Sequence, residues 1–235
     1  CRRTAANIHK GAIAMELNDV MRMTFSAREF TGESLPDDVL FDILDNARFA
    51  PSGGNRQGNR VVIVRDAETR EALAQLAAPA AKRYTAQVKN GESPWNTINP
   101  TKVSDAEIAA TEPAPHLTDS FRKADVVLVF MVDLSVVASM DQFLDRVGVI
   151  SGGSIYPFVW NVLLCARQAG FGGTITTLAA AMEPEVQKLL GAPSNYAVAA
   201  VVPMGKPVKM LTKLRRNPVD QIATVGRFDG PGFKL

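Results

Sequence analysis

Asp125-Val-Val-Leu-Val-Phe-Met-Val-Asp133 sets seven apolar residues in an unbroken row between two carboxylates. A short continuous run rich in β-branched residues reads as a strand covered on both faces, and such a strand belongs at the centre of a sheet. Outward from it, Arg60 to Arg65 (RVVIVR) is expected to be a second buried strand and Ala197 to Met204 (AVAAVVPM) a third central one. Stretches of helical spacing lie around and between them. Val39, Leu40, Ile43, Leu44 and Ala47 recur along one face from Leu35 to Ala50. Ser34 is expected to cap that helix, with Pro36 in its first turn and Asp37 and Asp38 facing the positive end of its dipole. Pro51 ends it. Asp66 to Lys89 is alanine-rich and helical. Ile155, Phe158, Val159, Val162, Leu163 and Ala166 form a stripe that runs to Gly170, the expected left-handed cap. Trp160 and Leu164 add apolar bulk on another side, so this helix is expected to be buried on most sides. Glu183 to Leu190 is a further short helix. The pattern is that of one α+β domain over residues 15–235.

Two stretches break the pattern. From Asn90 to Ser120 the chain is rich in proline, threonine and acidic residues, with Pro94-Trp95, Pro100 and Pro113-Ala114-Pro115. An excursion of that length inside a compact domain points to function, so 90–120 is expected to be a lid over a pocket, with Trp95 as its apolar contact. The other stretch begins at Asn217 and is expected to be an extended C-terminal arm over about 217–235. Residues 1–14 are expected to be a flexible N-terminal arm. Arg2-Arg3 and Cys1 are not followed by an apolar core of signal-peptide length.

A net charge of +2, with both signs mixed along 235 residues, lacks the broad positive field of a nucleic-acid binder. The two cysteines are far apart, and Cys165 in an apolar helix reads as a free buried thiol, which fits a reducing cytoplasm. Ile155 to Leu164 is too short to span a bilayer, and no membrane partner is expected.

Familiar catalytic motifs fail one by one. Gly170, Gly172 and Gly173 begin a dinucleotide fingerprint, but Ile175 occupies the position of its last glycine. No GxxxxGK[ST] is present. Gly152-Gly153-Ser154-Ile155-Tyr156 approaches GxSxG, yet ends on tyrosine. His9 and His116 are the only histidines, too few for a histidine metal site, and no metal is expected. A chain without nucleophile, metal or well-placed base is still an enzyme if a bound cofactor carries the electrons.

Two stretches suit such a cofactor. Arg22-Met-Thr-Phe-Ser-Ala-Arg28-Glu-Phe30 puts two guanidiniums in a polar turn, and Arg215-Arg216 adds two more. Forked donors of this kind hold a phosphate that no glycine-rich loop receives. In Ala50-Pro-Ser-Gly-Gly-Asn-Arg-Gln57, small residues allow close approach of a flat ligand while Ser52, Asn55 and Gln57 supply polar groups.

With these residues in hand the sequence resembles the nitroreductase family. Four of its signatures occur in order: Ser26-Ala-Arg28-Glu-Phe30, Ala50 to Gln57, Gly170-Phe-Gly-Gly-Thr-Ile-Thr177, and Arg215-Arg216-Asn-Pro218. The resemblance implies a nitroreductase-like sandwich, a central mainly antiparallel sheet flanked by helices, in an intertwined homodimer with FMN at the subunit interface. It implies cofactor contacts from Arg22, Met23, Thr24, Arg28, Pro51, Ser52, Gly53, Asn55, Gln57, Gly172, Gly173, Thr174, Arg215 and Arg216. No side chain is expected to be catalytic, because the flavin performs the chemistry, with the Gly173 and Thr174 backbone near its N5. The implied reaction is a two-step hydride exchange from NADPH or NADH, through FMN, to a nitroaromatic or quinone-like small molecule. Different flavin chemistry on the same fold, dehalogenation or flavin fragmentation, and a non-catalytic flavin sensor are the alternatives. The sequence departs from the family in having Thr24 where relatives often carry arginine and Gln57-Gly58-Asn59 where they commonly read QPW.

Overall fold

The computed structural model describes residues 15–235. The arm expected over residues 1–14 lies outside the described residues. The elements run α1 (Leu17–Met23), α2 (Asp37–Ala47), β1 (Asn59–Val64), α3 (Ala67–Lys89), α4 (Asp105–Ala110), α5 (Asp119–Lys123), β2 (Val126–Asp133), α6 (Tyr156–Gln168), β3 (Gly172–Gly173), α7 (Glu183–Leu190) and β4 (Tyr196–Gly205). The strands form one sheet in the order β1-β2-β4-β3, antiparallel throughout.

The unbroken apolar run of β2 has a simple cause. Val126, Leu128, Phe130 and Val132 point into a core shared with α2 and α6, while Val127, Val129 and Met131 point into a second core shared with α3 and Phe121. Side chains alternate along a strand, so helices on both faces demand apolar residues at every position. Each such burial stabilises by roughly 1.5–3 kcal/mol. Phe130 also meets Phe158 of α6 edge-on, with ring centroids 5.6 Å apart. On β4 the alternation changes phase. Phe130 pairs with Ala200 but Met131 with Val198, so Ala199 is an extra residue. The bulge lets Val198 join the same core as Val201, although their spacing is odd.

Helix α2 starts differently from expectation. Its first residue is preceded by Pro36, and no side chain caps it. Ser34 is therefore not the cap. The Leu35 N–H instead donates to Oδ2 of Asp125 at 3.0 Å, an acceptor 90 residues away at the mouth of β2. Arg65, just past β1, bridges Asp125 and Asp37 at 2.7 Å each and donates to the Leu35 carbonyl at 2.8 Å. Tertiary acceptors have replaced the local one. Asp125→Ala leaves the Leu35 N–H without its acceptor and Arg65 with two of its three partners, and it is expected to cost about 1–3 kcal/mol in urea denaturation.

The 90–120 excursion is more ordered than its composition suggests. Ser104 and Glu107 form a reciprocal capping box at the start of α4, and α4 and α5 both pack on α3. At the end of α6, Gly170 adopts φ +81°, and the N–H groups of Phe171 and Gly170 donate to Ala166 and Arg167, closing the helix as its position predicts. Helix α6 packs against α2, α1 and β3, so most of its surface is covered as expected. Tyr156 and Trp160, on the remaining face, are 42% and 39% exposed, so one flank stays open within one chain. Cys165 is half-buried rather than buried, and desolvation pushes its thiol up. The C-terminal arm is not extended over its length. Thr224 bridges Gly232, and the Phe233 N–H donates to Ala223, so the chain end folds on itself. No helix among the described residues is long and apolar enough to cross a membrane.

Candidate active site

Helix α1 delivers the chain to a turn that lies across the end of the sheet. Thr24 is buried, and its hydroxyl donates to the Val20 carbonyl at 2.7 Å. The Ala27 N–H donates to the Gly173 carbonyl at 3.0 Å, Phe30 bridges Pro207, and the Val208 N–H donates to Glu29. The turn is thus stitched to β3 and to the exit of β4. Its one outward guanidinium, Arg28, stands where two cavities meet.

The first cavity, of about 590 Å³, is lined by Arg28, Thr174 to Leu178, Tyr84, Trp95, His116 and Ser120. The second, of about 600 Å³, is lined by Ser26, Arg28, Glu29, His116, Asp119, Lys123 and Lys209. One is walled by aromatic and hydroxyl groups; the other gathers Arg28, Lys209 and Lys123, the last paired with Asp119 at 2.9 Å. Thr174 is 3% exposed, and its hydroxyl has no hydrogen-bond partner. An unsatisfied buried hydroxyl costs about 1–3 kcal/mol, so a polar group of a ligand is its natural complement. That orphaned atom and the cationic neighbourhood of Arg28 fit a polar aromatic group bearing a phosphate.

Gly172 and Gly173 form β3 and are buried. A Cβ on Gly173 would lie 2.6 Å from the Pro203 carbonyl oxygen and 3.0 Å from Val202. Glycine is required there by the approach of β4. Trp95 reaches the first cavity from the excursion and is docked on α3. Its indole N–H donates to the Ala80 carbonyl at 3.3 Å, its backbone N–H donates to the Gln87 side chain at 3.0 Å, and Arg83 lies 4.5 Å over its ring. Trp95, Asn55 and Gln57 are the non-glycine residues with left-handed φ among the described residues. Such conformations persist where surrounding structure enforces them, and they concentrate at functional sites.

Ser52 to Gln57 occupy a different place. The Gly53 N–H donates to Ser154 at 3.2 Å, the Gln57 N–H donates to the Ser52 hydroxyl at 3.0 Å, and Arg56 donates to the Val136 carbonyl. Pro51, Gly53, Asn55 and Gln57 are exposed and Ser52 is partly so. None of them lines either cavity beside Arg28. The sequence candidates therefore fall into two groups within one chain: Arg28 with Gly173 and Thr174, and the Pro51 to Gln57 segment. Thr24, Gly172 and Gly173 enclose a small space behind the first group. Arg22 is exposed on the last turn of α1 and Met23 is half-buried. Arg215 and Arg216 are exposed, with the Arg216 guanidinium donating to the Arg215 carbonyl, and neither lines the two cavities. Lys209, from the same stretch, does.

Sequence reasoning missed Lys209, Lys123, Tyr84 and His116 as cavity residues. They are isolated in sequence, and only the packing of α3, α5 and the exit of β4 brings them together.

Beside the Pro51 to Gln57 segment, the stretch after β2 is locked by Asp141. Its buried carboxylate accepts from the Val149 N–H at 2.7 Å, from Arg146 at 2.8 Å and from the Ser139 hydroxyl at 2.9 Å. These donors, the Val149 amide first, hold the carboxyl well below the usual carboxylate range. Because the folded value is depressed, the contribution to stability is complete above the unfolded value and is withdrawn as pH falls through the folded one. Asp141→Asn is expected to speed tryptic cleavage at Arg146 severalfold at neutral pH; the wild-type loop is expected to resist down to strongly acidic pH, read with an acid-active protease.

A family model described as the nitroreductase family matches residues 21–206. The chain is similar to an NADH dehydrogenase of Thermus thermophilus, with 27% identity over 199 residues, 84% of this chain and 89% of that protein. It is similar to iodotyrosine deiodinase 1 of Pongo abelii, with 24% identity over 212 residues, 88% of this chain and 67% of that protein. The solved NADPH:FMN oxidoreductase of Vibrio harveyi, complexed with NAD+, superimposes with a TM-score of 0.64 at 20% identity, over 91% of this chain and 78% of that one.

Proposed function

Since the chain belongs to the nitroreductase family, we propose that it binds FMN and reduces nitroaromatic or quinone-like small molecules at the expense of NADH or NADPH. The observation that carries this reading is the buried, unpartnered Thr174 hydroxyl on the wall of a 590 Å³ cavity that Arg28 also lines. Bound FMN supplies the atom that accepts and returns hydride. The chain supplies everything else.

Arg28 is the phosphate anchor, with Lys209 adding positive charge on the same side. Arg22, Met23, Thr24 and the Arg215-Arg216 pair are further contacts that the family resemblance implies, although Arg22, Arg215 and Arg216 line neither cavity. Gly172, Gly173 and Thr174 bring backbone and hydroxyl to the ring, and the positive surroundings favour an electron-rich ligand. Trp95 and Tyr84 offer flat faces for an aromatic acceptor in the first cavity. The names of the Vibrio harveyi and Thermus thermophilus proteins support a flavin partner and a nicotinamide donor.

Pro51, Ser52, Gly53, Asn55 and Gln57 complete the site from a second copy of the chain. Two features support a homodimer: this segment is separate from Arg28 within one chain, and Tyr156 and Trp160 leave an aromatic flank of α6 uncovered. Sedimentation of the purified protein tests it; a monomer at micromolar concentration with flavin bound would remove the second copy from the site.

The decisive experiment is spectroscopic. The purified protein is expected to be yellow, to release FMN on denaturation, and to bleach anaerobically with NADH or NADPH and recover with a nitroaromatic or quinone. Initial rates should give parallel double-reciprocal lines. A colourless protein that takes up no FMN ends this reading. The likeness to a deiodinase over most of the chain favours one second reading, reductive dehalogenation. Iodide release from an iodinated phenol, with no turnover of nitroaromatics, selects it.

A further inference from the structure

Arg167 sits in the last turn of α6, 6% exposed, in a helix otherwise buried through apolar residues. Its guanidinium donates to the Leu211 carbonyl at 3.1 Å and contacts the Met210 sulfur at 3.1 Å, while its Nε is buried without a partner. No carboxylate among the described residues pairs with it. Burial alone, with no compensating charge, pulls its pKa down. Buried charges are normally paired, because stripping an ion of water without a counter-charge costs several kcal/mol.

The location narrows what the counter-charge is. Arg167 shares a small enclosed space with Thr24, Phe25, Gly172 and Gly173, and that space does not admit a water molecule. It stands directly behind the two turns that the Ala27 to Gly173 hydrogen bond ties together, on whose outer side Arg28 projects. Two neutral acceptors, a carbonyl and a thioether, are all that the described residues provide.

We propose that Arg167 is the buried counter-charge of the cofactor's phosphate, acting through the Thr24 to Arg28 turn rather than by touching the ligand. The inference rests on the FMN reading above and deepens it. Arg167 is a positioning residue: its charge is tolerated in the apoprotein and compensated when a dianion arrives in front of the turn. Charge attraction across a partly buried turn falls off slowly with distance, so an effect on affinity does not need contact.

The test compares FMN with riboflavin, which has the same ring and no phosphate. Arg167→Met is expected to weaken FMN binding about tenfold or more, the equivalent of about 1.4 kcal/mol, and to leave riboflavin binding unchanged within about twofold. Its apoprotein is expected to melt no lower than wild type, since a buried uncompensated charge has gone. Arg167→Lys restores most of the FMN affinity. Arg167→Gln, which keeps a donor for Leu211 without the charge, reproduces the methionine result and stands in if that variant does not fold. Equal weakening of FMN and riboflavin, or none, overturns the proposal and leaves FMN binding intact as a reading. A wild-type protein that binds neither flavin overturns both.

Discussion

Replacing Gly173 by alanine is expected to cost about 2–3 kcal/mol of stability in the apoprotein and to abolish flavin retention. The added Cβ would stand 2.6 Å from the Pro203 carbonyl oxygen, 3.0 Å from Val202 and 3.4 Å from Leu163. The first of these is backbone in a central strand, which cannot swing aside as a side chain tip can. Relief requires β3 to move off β4, and β3 carries the carbonyl that accepts the Ala27 N–H. Arg28 and Thr174 then lose their mutual placement. Urea denaturation of the apoprotein reads the first effect and flavin fluorescence the second. Gly153→Ala is the control, since nothing lies within 4 Å of a Cβ there; it is expected to stay within about 0.5 kcal/mol of wild type. An alanine at 173 with wild-type stability would mean that β3 is free to move away from β4.

Arg28→Ala separates binding from folding. Arg28 is exposed, and among the described residues its guanidinium makes only a long hydrogen bond to the Ser26 carbonyl, 3.4 Å, so truncation removes little that holds the apoprotein together. Its melting temperature is expected to change little. Hydrogen bonds to a charged partner contribute about 1.5–3 kcal/mol each, so loss of the main phosphate anchor is expected to raise the FMN dissociation constant about a hundredfold. Arg28→Lys should recover only part, because an ammonium lacks the planar fork. Arg22→Ala is expected to do far less, since Arg22 lines neither cavity. An Arg28→Ala protein that holds FMN as tightly as wild type would move the phosphate elsewhere, with the exposed Arg215-Arg216 pair as the next place to look.

The elements that could be read in advance share a local cause. Glu183–Leu190 has the bounds its periodicity predicts, and Asp66 caps α3 by accepting from the Thr69 N–H. The capping box at Ser104 and Glu107 is equally local, but the prolines on either side of it mask its helical signal. Ser34 fails as a cap for a different reason: Asp125 and Arg65 arrive from strands far along the chain and take over the helix start.

The order of residues alone determined the two-faced central strand, the helices packed on it and the family signatures, because each depends on neighbours within one or two turns or on residue types in a fixed order. Packing decided the rest. The phase change at Ala199, the two-residue strand at Gly172-Gly173, the convergence of Arg28 with Thr174, Lys123 and Lys209, the separation of Asn55 from them, and the charge buried at Arg167 all arise where distant segments meet. Excluded volume and desolvation act between segments that only the folded chain brings into contact.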